Sequence, residues 1–151
     1  MLKLITLVLM SFTLVGCGLI PPTPLTDEAN IQARQMGPIA DKANVYFIYS
    51  PMQSGMGEIT IDGEYLGSIY QSEMMNVHLD EGYHEVIVQY TLVIHRTLKQ
   101  EFKAGENYYF QVKYNGAFAI PYLTKLTQEE AEELISKANL MPPERKLTQR
   151  L

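Results

Sequence analysis

The chain has no tryptophan, one cysteine and three histidines among its 151 residues. A single cysteine excludes a disulfide within the chain and any site built from several thiolates. Basic residues are scarce as well: 12 Lys and Arg stand against 17 Asp and Glu, a formal net charge of −5. Nucleic acid is held by clustered Lys and Arg that displace counterions from phosphates, and no basic stripe is present to do so. Long apolar runs are also missing. The stretch after Lys3, Leu4 to Val15, is shorter than the roughly 20 residues a spanning helix needs. The polar, proline-bearing segment Pro21-Pro22-Thr23-Pro24-Leu25-Thr26-Asp27-Glu28 follows soon after, so no stop-transfer helix is expected.

What is present at the start is a basic residue, a short apolar segment and a small residue before the only cysteine, the pattern of a cleaved signal peptide. Leu14-Val15-Gly16-Cys17 resembles the lipobox of bacterial lipoproteins. The resemblance implies cleavage after Gly16 and a diacylglycerol plus an N-acyl chain, such as palmitate, on Cys17. Two or more chains anchor a protein durably, whereas one does so only marginally. An acylated Cys17 also leaves no thiol for a nucleophile or a metal. Gly18 stands where enteric lipoproteins kept at the inner membrane carry Asp, so the resemblance implies the outer membrane, facing the periplasm. The plainer alternative is an ordinary cleaved signal that leaves Cys17 as a free thiol.

Removing residues 1–16 leaves 135 residues with 11 basic and 17 acidic side chains, enough for one domain with a real core. Residues 17–42 are rich in proline and polar groups and read as the lipidated cysteine and a tether, with a short helical turn expected from Asn30 to Met36. Residues 43–126 carry the strand signals. Asn44 to Tyr49 is a continuous β-branched and aromatic run, so it is expected to be buried on both faces. Asp62-Gly63 between alternating segments predicts a two-residue hairpin turn with positive φ. Further strands are expected at Met75–Leu79, Tyr83–Tyr90, His95–Phe102, Asn107–Tyr114 and Tyr122–Leu126. In Asn107–Tyr114 the period of two puts Tyr108, Phe110, Val112 and Tyr114 on one face and Tyr109, Gln111 and Lys113 on the other.

The period then changes. Thr127 with Glu130 forms a capping-box pattern, and Ala131, Leu134, Ile135 and Ala138 make one narrow apolar stripe. A helix over 127–139 packed on the sheets, stopped by Asn139 and Pro142-Pro143, is predicted, with 140–151 as a tail. Short strands joined by glycine turns give a mainly β, antiparallel sandwich with one C-terminal helix. Val45-Tyr46-Phe47-Ile48-Tyr49, Ile59 to Gly67, Glu81 to Val86 and Ala104 to Tyr109 together resemble small bacterial lipoproteins with a PEGA-like, Ig-like β-sandwich domain of unknown function. The resemblance spans about Ala43 to Ala138 and brings no catalytic residues with it.

His78 and His84 flank the Asp80-Glu81-Gly82 turn and invite a shared metal ion, but the alternation puts Leu79 opposite His84 and turns His78 away. His84 is expected to be a core-rim imidazole bonded to a backbone group, and His78 a solvated strand residue. His95 shares a polar strand face with Thr97, Lys99 and Glu101. Gly55-Met56-Gly57 echoes a phosphate loop yet precedes a strand, and Asp62 and Asp80 occupy turns. Met52, Met56, Met74 and Met75 lie in two segments that a Cu(I) carrier would bring together, though such methionines also fill loop contacts. Ten tyrosines are the remaining surplus, and Tyr65, Tyr70, Tyr83 and Tyr109 are the expected rim residues for a partner. The functional expectation is a membrane-anchored, non-enzymatic envelope module that binds another envelope protein, with no cofactor beyond its lipid; the alternative is a copper or small-ligand carrier.

Overall fold

The computed structural model describes residues 27–49, 55–91, 94–115 and 120–141. The expected signal segment, Cys17, Met52 and the residues from Pro142 onward lie outside the described residues. In chain order the elements are α1 (Asp27–Arg34), β1 (Ala43–Tyr49), β2 (Met56–Ile61), β3 (Glu64–Tyr70), β4 (Glu73–Leu79), β5 (Gly82–Thr91), β6 (Ile94–Phe102), β7 (Asn107–Asn115), β8 (Ile120–Lys125), α2 (Gln128–Ile135) and β9 (Asn139–Met141). They form a mainly β sandwich. One sheet has the order β8-β7-β1-β4-β9, and the other β3-β2-β5-β6.

β1 is the middle strand of the larger sheet, which explains its unbroken apolar run. Val45, Phe47 and Tyr49 enter the core between the sheets, while Tyr46 and Ile48 face a second cluster under the helices. β7 lies beside it in parallel with Tyr46 opposite Tyr109 and Phe47 opposite Phe110. That register stacks rings on both faces, at 5.3 Å for Tyr46–Tyr109 and 5.8 Å for Phe47–Phe110. Such pairs add to burial by about 0.5–1.5 kcal/mol. The hairpin of β2 and β3 turns at Asp62 (φ 51°) and Gly63 (φ 80°), both left-handed as the Asp-Gly signal requires.

α2 begins with the expected capping box: Thr127 N–H donates to Glu130 Oε2 at 2.8 Å, and Glu130 N–H donates to Thr127 Oγ1. Ala131 and Ile135 of its stripe are buried. The helix stops at Ile135, earlier than the sequence pattern suggests. Asn139 N–H donates to Ser72 O at 2.8 Å and starts β9, which runs parallel to β4. Leu140 and Met141 gain burial at this sheet edge that another helical turn would deny them.

Three more features differ from the sequence expectation. The sheets are not wholly antiparallel, because β1–β7 and β4–β9 are parallel pairs. A strand buried on both faces is what parallel pairing demands, and the composition of β1 supplies it. The Asp80-Glu81-Gly82 turn does not join paired strands. It carries the chain from β4 in the larger sheet to β5 in the smaller one, so Leu79 does not face His84 across a hairpin.

Residues 27–42, read from composition as tether, are docked. Arg34 donates through Nη1 to Ile135 O at 2.6 Å and through Nη2 to Ala138 O at 2.5 Å, joining the end of α1 to carbonyls at and just beyond the end of α2, where Ile135 O also accepts from Ala138 N–H. Tyr46 Oη donates to Ala33 O, Asn44 Nδ2 to Gly37 O and Asn107 Nδ2 to Met36 O. Few apolar residues are needed because side chains from the sheet capture the segment by its own carbonyls.

Candidate interaction face

The two sheets differ in what covers their outer faces. Ala33, Met36, Ala131, Ile135 and Ala138 pack on the larger sheet and bury Tyr46, Ile48, Met74 and Tyr109. On the smaller sheet the strand registers set out an outer face in rows. Tyr65, Thr60, Ile87 and Thr97 form one row, and Ser68, Glu58, Gln89 and His95 the next. Tyr83 opposite Glu101 and Tyr70 opposite Met56 stand toward its ends. No residue of these rows is buried, so this face is bare among the described residues.

The polar groups on this face are partly tied to each other. Tyr65 Oη and Ser68 Oγ share a hydrogen bond of 2.8 Å, Gln89 Nε2 donates to Glu58 Oε2 at 2.6 Å, and Lys99 pairs with Glu85 at 3.1 Å. These contacts hold rings and carboxylates in place on a rigid sheet. Tyr83 is 78% exposed and Tyr70 45%, far beyond what core packing explains. β6, at the sheet edge, carries the exposed Arg96 at a core-facing register position, a charge that discourages another strand from adding there.

The structure gathers Tyr65, Tyr70, Tyr83 and Met56 on this face and places the other rim candidates elsewhere. Tyr109 is buried beneath the helices, because the apparently polar side of β7 is the side the helices cover. Met74 and Met75 are fully buried and point to opposite faces of β4, Met75 between the sheets and Met74 under the helices. Adjacent residues on a strand cannot share a ligand on one face, so a site uniting both thioethers with Met56 is ruled out by the alternation. Thr97 lies on the polar face expected for it beside His95, whereas Thr60 and Ile87 are face residues that the sequence reading does not single out. Their outward alternation is visible in each strand, but which strands lie side by side is not.

His84 sits at the rim, as expected, and has a second partner. Nδ1 meets Asp62 Oδ2 at 2.6 Å and Nε2 meets Asp80 O at 2.9 Å. Both ring nitrogens therefore face acceptors, and only the doubly protonated ring satisfies both. Burial pushes the His84 pKa down, but the Asp62 and Asp80 hydrogen bonds and charges outweigh it, and the net shift is upward from 6.5. The Asp62 carboxyl is held below its usual range, first by the Glu85 backbone N–H and further by His84. His78 lies on β4 opposite Asn44, exposed, in the other sheet. Among the described residues no three His, Cys, Asp or Glu side chains gather to hold an ion.

The His84–Asp62 contact ties the β2–β3 turn to the β4–β5 crossing, and a sign follows for its pH dependence. A raised histidine pKa stabilises the fold below the unfolded value and loses that stabilisation as pH rises through the folded one. A lowered aspartate pKa stabilises above its unfolded value and loses it as pH falls through the folded one. His84→Ala is expected to cost about 1 kcal/mol at pH 5–6, discounted for the half-exposed Asp62. Urea unfolding across pH should show this gap shrinking above the raised His84 pKa and below the lowered Asp62 pKa. A gap independent of pH would mean that the ring acts by packing on Phe102 alone, which it meets edge-on at 5.8 Å.

Comparison with known proteins found no family model and no curated protein that matches this chain.

Proposed function

We propose that this chain is a lipid-anchored, non-enzymatic binding module of a bacterial envelope, held at the outer membrane by acyl chains on Cys17 and engaging an envelope protein through the bare face of the smaller sheet. The observation that carries the binding half is the asymmetry of the sandwich: one outer face lies under helices, while among the described residues the other leaves Tyr70 and Tyr83 exposed and Tyr65 half-exposed. Rigid aromatic side chains with a polar tip suit protein contacts because they offer large area at low entropic cost. The anchoring half rests on Leu14-Val15-Gly16-Cys17.

A photo-crosslinking amino acid at Tyr83 or Thr97 tests this reading in cells against the same group at Glu129, exposed on α2 over the opposite sheet. Discrete adducts with one envelope protein from the first two positions and none from Glu129 are the expected result. No adduct from the sheet face, or equal capture from Glu129, would reject the face as the docking surface.

A further inference from the structure

The helical layer leaves part of the larger sheet open. Between α1, the turn after it and the β4–β9 edge lies a cavity of about 400 Å³. Asn44, Tyr46, Asn76 and His78 form its polar wall, with Gln32 and Gln35 at the α1 side. Ile39 and Leu140 add apolar surface. Among the described residues, none that lines it carries a formal charge, although the chain as a whole is acidic. Burial pushes the His78 pKa below its ordinary value, which favours the neutral ring.

The hydrogen bonds along this wall run in one direction. Tyr46 Oη donates to Ala33 O at 2.9 Å, and its oxygen accepts from Asn44 Nδ2 at 3.1 Å. Asn44 Oδ1 accepts from Asn76 Nδ2 at 2.7 Å, which leaves Asn76 Oδ1 as an acceptor. Both amide orientations are fixed independently, since Asn44 Nδ2 also donates to Gly37 O and Asn76 Nδ2 to Val45 O. At the 3.2 Å contact with Asn76 Oδ1, His78 Nε2 must therefore carry the hydrogen. Nδ1 is left with its lone pair and has no hydrogen-bond partner among the described residues. Asn44, 2% exposed, shows that the polar wall is built into the fold rather than laid on its surface.

We propose that this cavity binds a neutral, polyhydroxylated molecule the size of a sugar ring, with a hydroxyl or amide N–H donated to His78 Nδ1. A charged ligand would shed its water with no opposite charge to meet it. A wholly apolar ligand would strand the imidazole lone pair and the glutamine amides. A hydroxyl both donates and accepts on one atom, which matches an acceptor nitrogen set beside amides that do both. The volume lies within the ordinary range of small-molecule sites, and the apolar residues suit the C–H face of a ring. This site is on the sheet opposite the proposed docking face and stands independently of it.

The test is an NMR titration of the full-length chain with N-acetylglucosamine, observing the His78 ring carbons and nitrogens. Saturable shifts with a Kd in the millimolar range are expected. Glucosamine, whose ammonium is charged, should bind at least tenfold more weakly. His78→Ala, at an exposed position, should weaken binding tenfold or more, followed on the Asn76 side-chain amide; Gln35→Ala should weaken it several-fold, and Tyr83→Ala should leave it unchanged. The proposal is overturned by the absence of saturable shifts, by equal affinity for the charged sugar, or by undiminished binding in His78→Ala.

Discussion

Phe47→Ala is expected to lower the unfolding free energy by about 3–5 kcal/mol, measured by urea or guanidinium denaturation. Phe47 is fully buried in the central strand, with Met75 beside it on β4 and the Phe110 ring stacked on it from β7. Truncation removes the ring's transfer free energy and leaves a cavity that strands bonded on both sides close poorly. Small domains hold roughly 5–15 kcal/mol in total, so a large fraction of the stability would go with one side chain. Tyr122→Ala, half-exposed on β8 at the sheet edge, is expected to cost under about 1 kcal/mol. A loss below about 1 kcal/mol for Phe47→Ala, with an unchanged denaturant slope, would contradict the central place of β1 in the core.

The second large effect concerns the proposed anchor. Cys17→Ala is expected to abolish metabolic labelling with palmitate altogether, while the wild-type chain incorporates label and begins at Cys17 after processing. Each buried methylene adds about 0.8 kcal/mol of membrane affinity, so the difference between three acyl chains and none exceeds any other change available to a single residue. Mass spectrometry of the mature N-terminus gives the direct measurement. A wild-type chain that starts elsewhere or carries no fatty acid would remove the anchoring half of the proposed function and leave the bare sheet face to be judged by crosslinking alone.

Local signals in the sequence carried further than relations between segments. The Asp62-Gly63 turn, the Thr127–Glu130 capping box and the doubly buried β1 were all legible, because each depends on residues a few positions apart. The alternation of β7 was legible too, but its meaning was only half visible. Tyr109, Gln111 and Lys113 read as a solvent side, while α1 and α2 cover the Tyr109 end of it. The β4–β5 crossing is hidden for a related reason: a glycine turn between alternating strands looks the same whether the chain folds back on one sheet or passes to the other. The docking of residues 27–42 escaped composition because it rests on Arg34, Asn44, Tyr46 and Asn107 bonding to main-chain carbonyls, which depend little on the identity of the residues that own them. The polar wall of the cavity had a faint signal, in that Asn44 is the one amide in the apolar and aromatic β1 and Asn76 breaks the run Met74-Met75-Val77 in β4.

The two bonds of Arg34 to the end of α2 bear on how the molecule would respond to tension. A pull arriving from the N-terminal side loads the Ala33 carbonyl, held by Tyr46, together with that guanidinium before it draws on the main chain of β1. The first thing to yield would be this clasp of side chains on the first described helix, with the sandwich behind it left whole. A tugged module of this design lengthens its leash by about nine residues, from Arg34 to Lys42, before any strand is peeled away.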